Sequence, residues 1–232
     1  MSTVRRQPVT TQIADPIGRG FKLTLKLIMY LILCVFFYQA AETFVEYKPG
    51  QSWPFLLSFF RTWTFLPIHE AGHLIFSFLG RTVQLLGGSI LQILLPLLWF
   101  LIAWKQRSHA SFFALFWVGE NIMDVSLYVR DAPVRQLPLL GGHVSRHDWY
   151  NLLLNWDMLD SAETIADVTY YVGFLLCVLS IGVGMIFAVY RYFKPRLVPK
   201  EVEHFEPNDA PVRNALTDVL DRKIQNKGKW ME

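Results

Sequence analysis

Residues 65–76 read FLPIHEAGHLIF, and this stretch decides how the rest of the chain is interpreted. It places His69, Glu70 and His73 inside an apolar run about long enough to cross a bilayer. Ionisable side chains at that depth are costly and usually functional. Two histidines four residues apart on a helix project from one face and can share one metal ion. The stretch therefore predicts a metal site within a membrane span.

Glu70 lies beside the two histidines, which adds chemistry to the predicted site. Zinc is the ion typical of a His-Glu-x-x-His pattern, and it lowers the pKa of a bound water to about 7. A neighbouring carboxylate can then take the proton of that water. We therefore expect His69 and His73 to bind Zn²⁺ and Glu70 to act as the catalytic base of a hydrolase. Buried histidines that only form hydrogen bonds, and metal binding without catalysis, are the alternatives.

Composition places the protein in a membrane. Of the 232 residues 53% are hydrophobic and the mean hydropathy is +0.29, which is too apolar for a soluble domain of this size. The formal net charge of +3 is small, so we expect membrane lipids as partners and no nucleic acid. Cys34 and Cys177 fall in separate apolar runs, where packing is a more plausible role than a disulfide.

The apolar runs predict an all-α integral membrane bundle of about five transmembrane helices. The expected spans are about 21–47, 53–80, 90–104, 110–129 and 164–192. A mobile polar segment at 1–20 precedes this 21–192 domain, and a polar loop at 130–163 interrupts it. A polar tail at 193–232 follows, and its short amphipathic stretch from Val212 to Ile224 is a candidate contact for a protein partner or the membrane.

Three features within the spans or between them carry further expectations. Gly87-Gly88 predicts a break in the helix near 83–89, as either a plain turn or a re-entrant loop. Pro96 predicts a kink in the third span. Arg61, inside the second span, is expected to snorkel to the surface or to pair with a carboxylate.

A polar stripe along the fourth span offers candidates for a third metal ligand. Its members, on one face of an otherwise apolar helix, are Glu120, Asn121, Asp124, Tyr128 and Asp131. A catalytic zinc commonly has three protein ligands and one open position. Helices alternate in direction, so five spans would make the second and fourth parallel.

Depth in those two spans favours Asp124 as the third ligand. His73 and Asp124 each lie about seven residues before the expected end of their span, hence at similar depth. Asn121 is expected to donate a hydrogen bond to a substrate carbonyl or oxyanion as a second catalytic residue. The alternative ligands are Glu120, Asp131 and Asp148.

With His69-Glu70-Ala71-Gly72-His73 in one span and a carboxylate in a later one, the chain resembles the site-2 protease family of intramembrane zinc metalloproteases. The likeness covers the second to fourth spans. It implies that both histidines and Asp124 hold zinc, that Glu70 activates water, and that a membrane-protein or peptide substrate is cut. The family's later motif has Asn-Pro ahead of Asp-Gly, whereas Asp124 is here followed by Val125.

The chain is also similar to a set of bacterial multi-pass proteins, which implies a bacterial inner membrane. The shared stretches are LGGS at 86–89, QLPLLGG at 136–142 and HDW at 147–149. Two functions compete with a protease: a non-catalytic membrane subunit or scaffold with a structural metal site, and a proton or ion path along the polar stripe. Five spans would place the amino terminus and the 130–163 loop on one side, which we expect to be cytoplasmic.

Overall fold

The computed structural model describes residues 12–13, 16–45, 53–137, 147–194, 197–198 and 217–218. The chain divides into two units, Ile17–Lys194 and the joined terminal segments Met1–Pro16 with Pro195–Glu232. In the terminal unit, strands Gln12–Ile13 (β1) and Leu197–Val198 (β2) pair antiparallel. Apart from Thr217 and Asp218, the predicted amphipathic stretch of the tail lies outside the described residues.

Helices make up the larger unit, which confirms the predicted all-α fold class. The α-helices are Pro16–Val45 (α1), Phe55–Phe60 (α2), Leu66–Ile75 (α3), Arg81–Lys105 (α4), Ala110–Asp131 (α5), Asp148–Asn155 (α6) and Ala162–Phe193 (α7). A π-helical turn, Arg61–Phe65, joins α2 to α3, and 3₁₀ turns at Ser77–Leu79 and Leu159–Ser161 precede α4 and α7. The first helix starts within the segment predicted as polar and mobile, so that boundary at residue 20 is wrong.

Four of the described helices are long and apolar enough to cross a membrane, and the protein is therefore a multi-pass membrane protein. They are Ile17–Phe44, Arg81–Lys105, Ala110–Asp131 and Leu159–Phe193. Their exposed faces carry large apolar side chains suited to lipid contact. Residues 53–80, expected as the second of five spans, are not among them.

Contacts at both ends of α1 show that it runs antiparallel to α7. Arg19, near the start of α1, donates to the carbonyl oxygen of Tyr192 at the end of α7. At the other end, the Tyr170 hydroxyl donates to the carbonyl oxygen of Ala41, 3.4 Å away. The start of α1 and the end of α7 therefore share one end of the bundle.

Contacts and connections between helix ends also give the directions of α4 and α5. Arg130 near the end of α5 forms a 2.5 Å ion pair with Asp167 near the start of α7, so α5 also runs antiparallel to α7. A short turn at 106–109 connects α4 to α5, which makes those two helices antiparallel as well. The ends of α1 and α5 thus lie at the same end of the bundle as the starts of α4 and α7.

Residues 53–80 enter the bundle and return to the end from which they came; we call them the re-entrant segment. Trp53 contacts Phe44 at the end of α1, with ring centroids 6.4 Å apart. Phe60, at the end of α2, contacts Phe36 of α1 and Trp117 of α5, which both lie deeper in the bundle than Phe44. The segment therefore descends along α1 through α2.

The return path follows α3. Phe65 still contacts Trp117, whereas His73 bonds the carbonyl oxygen of Gln84 in the first turn of α4. The π-helical turn at the deepest point has a local cause, because Pro67 has no N–H to donate to the carbonyl of Trp63 four residues earlier. The predicted second span is thus a re-entrant segment rather than a transmembrane helix.

Residues 83–89, predicted as a turn or a re-entrant loop, instead form the first turns of the continuous helix α4. The glycines there serve packing. A Cβ atom on Gly87 would lie 2.7 Å from the carbonyl oxygen of Gly72 in α3. Glycine at both positions lets α3 and α4 approach to backbone contact, as small residues do between membrane helices. The helix also continues through Pro96.

The loop predicted at 130–163 is partly helical. It contains α6, and residues 138–146 lie outside the described residues. Helix α6 follows the carboxyl end of α5 and precedes the start of α7, which brings it to the same end of the bundle as the re-entrant segment. Cys34 in α1 and Cys177 in α7 are free thiols.

Candidate metal centre

Three side chains that could bind a metal ion converge where α3, α4 and α6 meet. His69, His73 and Asp148 offer ligand atoms that all lie within 4.8 Å of one another. Oδ2 of Asp148 lies 3.4 Å from Nε2 of His69 and 3.0 Å from Nε2 of His73. The first two residues are those predicted from the sequence, whereas Asp148 was expected only as an alternative to Asp124.

Hydrogen bonds on the far side of each ring set the tautomers of the two histidines. Nδ1 of His73 is 2.7 Å from the carbonyl oxygen of Gln84, an acceptor, so this nitrogen carries the proton. Nδ1 of His69 is 3.0 Å from the amide oxygen of Gln92 and donates in the same way. In the neutral rings, both Nε2 atoms are then unprotonated and face the carboxylate of Asp148.

Three acceptor atoms that face one point repel each other unless a cation lies among them. Zinc suits the donors, because it binds imidazole nitrogen and carboxylate oxygen with bonds of about 2.0–2.1 Å. A tetrahedron with such bonds separates its ligand atoms by about 3.3 Å. The observed separations of 3.0 and 3.4 Å match that spacing, so the residues fit a zinc ion.

Asp148 is held in its ionised form. Burial by itself would raise the pKa of its carboxyl group. When the rings of His69 and His73 carry a second proton on Nε2, they donate to Asp148, and these hydrogen bonds outweigh burial and lower the pKa of Asp148 to about 2. A carboxylate that is charged at neutral pH is the form that binds a metal ion.

The amino end of α6 is fastened so that Asp148 faces the histidines. Nδ1 of His147 accepts from the backbone N–H of Tyr150 at 3.2 Å and caps the helix. Its Nε2 donates to Oδ2 of Asp131 at 3.2 Å. The Asp131 carboxylate also accepts from the backbone N–H groups of Gln136 and Leu137, each at 2.9 Å. Asp131 therefore holds His147 at the start of α6 and is not part of the cluster.

A second contact docks α6 on α4. The indole N–H of Trp149 donates to the hydroxyl of Ser89 at 3.1 Å. Ser89 follows Gly87 and Gly88, so the same turns of α4 that receive α3 also receive α6. The two helices that carry the candidate ligands, α3 and α6, thus meet on one short stretch of α4.

Asp124, the third ligand predicted from the sequence, lies behind His69 and outside the cluster. Its Oδ1 accepts from Nε of Arg61 at 2.8 Å, and its Oδ2 accepts from the side-chain amide of Gln92 at 2.7 Å. Asp124 was expected because it and His73 would lie at equal depth in two parallel spans. That argument does not apply, because the re-entrant segment does not cross the membrane. Of the two fates considered for Arg61, pairing with a carboxylate is the one observed.

These contacts form a chain of hydrogen bonds that ends at a candidate ligand. Arg61 donates to Asp124, Gln92 donates to Asp124, and His69 donates to Gln92. Each link has only one consistent direction, because Arg61 has no acceptor and the carboxylate has no donor. The Gln92 amide is therefore fixed in orientation and holds the tautomer of His69. Such partners of metal-bound histidines typically orient the ring and raise its basicity.

Tyr128 closes the other face of His69. The two rings stack with centroids 5.5 Å apart, and the guanidinium of Arg61 lies 5.2 Å from the centre of the tyrosine ring. The buried cation thus contacts both an aromatic face and a carboxylate, which offsets part of its desolvation.

The two predicted catalytic residues lie in different surroundings. Glu70 is exposed, and its charge acts electrostatically on His73 and on Tyr128. Asn121 is buried, and its amide donates to the carbonyl oxygen of Trp117 at 2.7 Å. Its Oδ1 atom has no hydrogen-bond partner among the residues that the structure describes.

The polar stripe of α5 does not form one continuous path. Glu120 is fully buried, and its Oε1 lies 4.0 Å from the thiol of Cys177 in α7, away from the metal cluster. The next carboxylates, Asp124 and Asp131, are engaged by Arg61 and His147 respectively. The stripe is therefore divided among three sets of partners on different helices.

Two functional positions in α4 escaped prediction from the sequence. Gln92 could have been recognised from the sequence, because it is a polar side chain within the apolar run that begins at Ile90. Gly88 follows the glycine that packs against α3, and a Cβ atom there would lie 2.5 Å from Nε2 of His69. A side chain at Gly88 would therefore occupy the space in front of the candidate ligand atom.

No protein-family model, curated protein or solved structure matches this chain. Two imidazoles and one carboxylate, with Glu70 on the same helical turn as His69, supply three of the four ligands that a tetrahedral zinc ion takes.

Proposed function

We propose that this chain is an intramembrane zinc metallopeptidase of a bacterial inner membrane, related to the site-2 protease family, which hydrolyses peptide bonds of membrane-associated substrates. The observation that carries the proposal is that the Nε2 atoms of two histidines, whose Nδ1 atoms face acceptors, lie with one carboxylate oxygen within 4.8 Å of one another. The ligands in this proposal are His69, His73 and Asp148, with Asp148 in place of the expected Asp124.

Zinc, when bound, would polarise the scissile carbonyl and lower the pKa of a bound water to about 7. Glu70 would accept a proton from the attacking water and pass it to the leaving amine. Its position next to His69 in sequence and its electrostatic effect on His73 support that role. The unpartnered Oδ1 and the remaining amide N–H of Asn121 are proposed to steady the peptide.

Catalysis is favoured over a structural metal site by the number and exposure of the ligands. Structural zinc sites are usually closed by four protein ligands, whereas catalytic sites keep a position open. The side chains of His73 and Asp148 are 19% and 17% exposed, and that of His69 is 4% exposed. Solvent and substrate would therefore approach along the His73 and Asp148 edge.

The test combines metal analysis with two substitutions and one control variant. We expect purified protein to hold about one zinc per chain and His69→Ala to lose it, because two ligands hold zinc poorly. Glu70→Gln should retain the metal and lose cleavage of a library of single-span membrane peptides reconstituted with the protein. Glu42→Gln, an exposed glutamate at the end of α1, is the matched control and should cleave normally.

Two outcomes would contradict the proposal in different ways. Cleavage by Glu70→Gln at the parental rate would rule out the proposed base. Zinc in the parent chain without cleavage of any library peptide would favour the alternative, a non-catalytic membrane subunit with a structural metal site.

A further inference from the structure

The two ends of the transmembrane bundle differ in charge. We call one end the basic end; it combines the start of α1, the α4–α5 turn and the end of α7. Its charged side chains, all of them cationic among the described residues, are Arg19, Lys22, Lys26, Lys105, Arg107, Arg191 and Lys194.

The opposite end, which we call the site end, carries charges of both signs. Its described basic residues beyond the buried Arg61 are Arg81, Arg130 and Arg135. Several carboxylates lie close by, among them Asp148, Asp157, Asp160, Glu163 and Asp167. The metal cluster belongs to this end, because it uses α6 and the first turns of α4.

Contacts within the basic end confirm that its cations gather there. His109 in the α4–α5 turn bonds the hydroxyl of Tyr30 in α1 at 2.9 Å and stacks on Phe187 in α7. Burial, followed by the charges of Lys26 and Arg191, lowers the pKa of His109 to about 4. Charges from α1 and α7 thus act on one point in the turn between α4 and α5.

We infer that the basic end faces the cytoplasm and that the metal cluster opens toward the non-cytoplasmic face of the membrane. The physical basis is the bias of lysine and arginine toward the cytoplasmic ends of spans, in which acidic residues have little weight. Four spans put both ends of the Ile17–Lys194 unit on one side, whereas five would have separated them. The amino-terminal end of α1 thus lies opposite the 130–163 segment, and the arrangement expected from five spans is wrong.

The surroundings of the cluster restrict what can reach it. Glu70 is exposed on α3, and the next helical turns present Leu74, Phe78 and Leu79 at 77%, 79% and 50% exposure. Such an apolar face belongs in the acyl chains, whereas the Asp148 carboxylate of α6 belongs at the headgroup and water layers. The open edge of the cluster thus lies at the boundary between lipid and water.

This position, taken together with the proposed peptidase function on which it rests, defines the substrate class. The substrate is a membrane-anchored protein with an unfolded segment next to its span on the non-cytoplasmic side. An extended segment is needed because a helix hides its backbone carbonyls in its own hydrogen bonds. A site that faced the cytoplasm would select the opposite flank of the same kind of protein.

The test of orientation is cysteine labelling in spheroplasts with a membrane-impermeant maleimide. Asn155→Cys at the end of α6 and Gln106→Cys in the α4–α5 turn are both at exposed positions. We expect the former to react in intact spheroplasts and the latter only after the membrane is opened. The parent chain is the control, since Cys34 and Cys177 lie inside membrane helices. The reverse pattern would overturn the inference.

A second measurement addresses the substrate. Parent chain and Glu70→Gln are reconstituted with single-span peptides that carry distinguishable flanks, and mass spectrometry locates the cut. Cleavage in the flank on the Asn155 side, absent with Glu70→Gln, supports the inference, whereas cleavage in the other flank contradicts it. Failure of both flanks to be cut would contradict the peptidase function, while the labelling result on orientation would still hold.

Discussion

Nε2 of His73 lies 3.0 Å from Oδ2 of Asp148, although the two residues belong to separate helices with two membrane spans between them. A re-entrant segment supplies the histidine, and a short helix after α5 supplies the carboxylate. Their meeting identifies Asp148 as the proposed third ligand and gives Asp124 a supporting position behind His69.

The first prediction separates the two aspartates. Asp148→Asn removes a charged ligand, so zinc should no longer be retained at one ion per chain. Asp124→Asn should keep the metal with an affinity about 10–100-fold lower, the usual effect of losing an outer partner of a ligand. Zinc titration against a competing chelator measures both. Zinc loss in Asp124→Asn with full retention in Asp148→Asn would restore the ligand set expected from the sequence.

The second prediction concerns the hydrogen bond that orients His69. Gln92→Leu removes the acceptor for Nδ1, so zinc affinity should fall about 10–100-fold while the ligands themselves remain. Gln84→Leu is a close control, because His73 bonds the backbone carbonyl of Gln84 rather than its side chain. The same titration should find the control unchanged. Equal losses in both variants would mean that Gln92 acts only through general stability.

The third prediction uses the glycine that faces His69. Gly88→Ala should prevent zinc binding, because the added methyl group would lie 2.5 Å from Nε2 of His69. Gly182→Ala is the control, since a Cβ atom there meets nothing within 4 Å. Metal content and the thermal stability of the metal-free proteins should be measured together. Normal zinc content in Gly88→Ala would show that the ion does not occupy the space in front of that nitrogen.

The fourth prediction tests the buried ion pair between Arg61 and Asp124, whose side chains are 5% and 2% exposed. Arg61→Met leaves the carboxylate buried without its cation and should cost about 3–5 kcal/mol of unfolding free energy. Arg61→Met combined with Asp124→Leu should cost less than the single change, because no unpaired charge remains. Unfolding in mixed detergent and SDS measures both. A double variant less stable than Arg61→Met would show that the pair stabilises the fold beyond mutual neutralisation.

Local pattern was sufficient for several features of the protein. The apolar runs predicted the helices that became α1, α4, α5 and α7, because hydropathy and length are properties of contiguous residues. The spacing of His69 and His73 likewise sets them on one helical face without reference to any other part of the chain. The sequence by itself therefore showed a pair of histidines on one helical face with a glutamate next to the first of them.

The path of the chain between those elements was decided only by tertiary structure. Whether residues 53–80 cross the membrane depends on what α2 and α3 pack against, and close approach of Gly72 to Gly87 holds them against α4. Because residues 53–80 do not cross, the number of spans is four instead of five. Each later residue therefore lies on the opposite side of the membrane from the one expected. Asp148 reaches the histidines because His147 and Asp131 fasten α6, and such contacts between distant residues leave no periodic signal in the sequence.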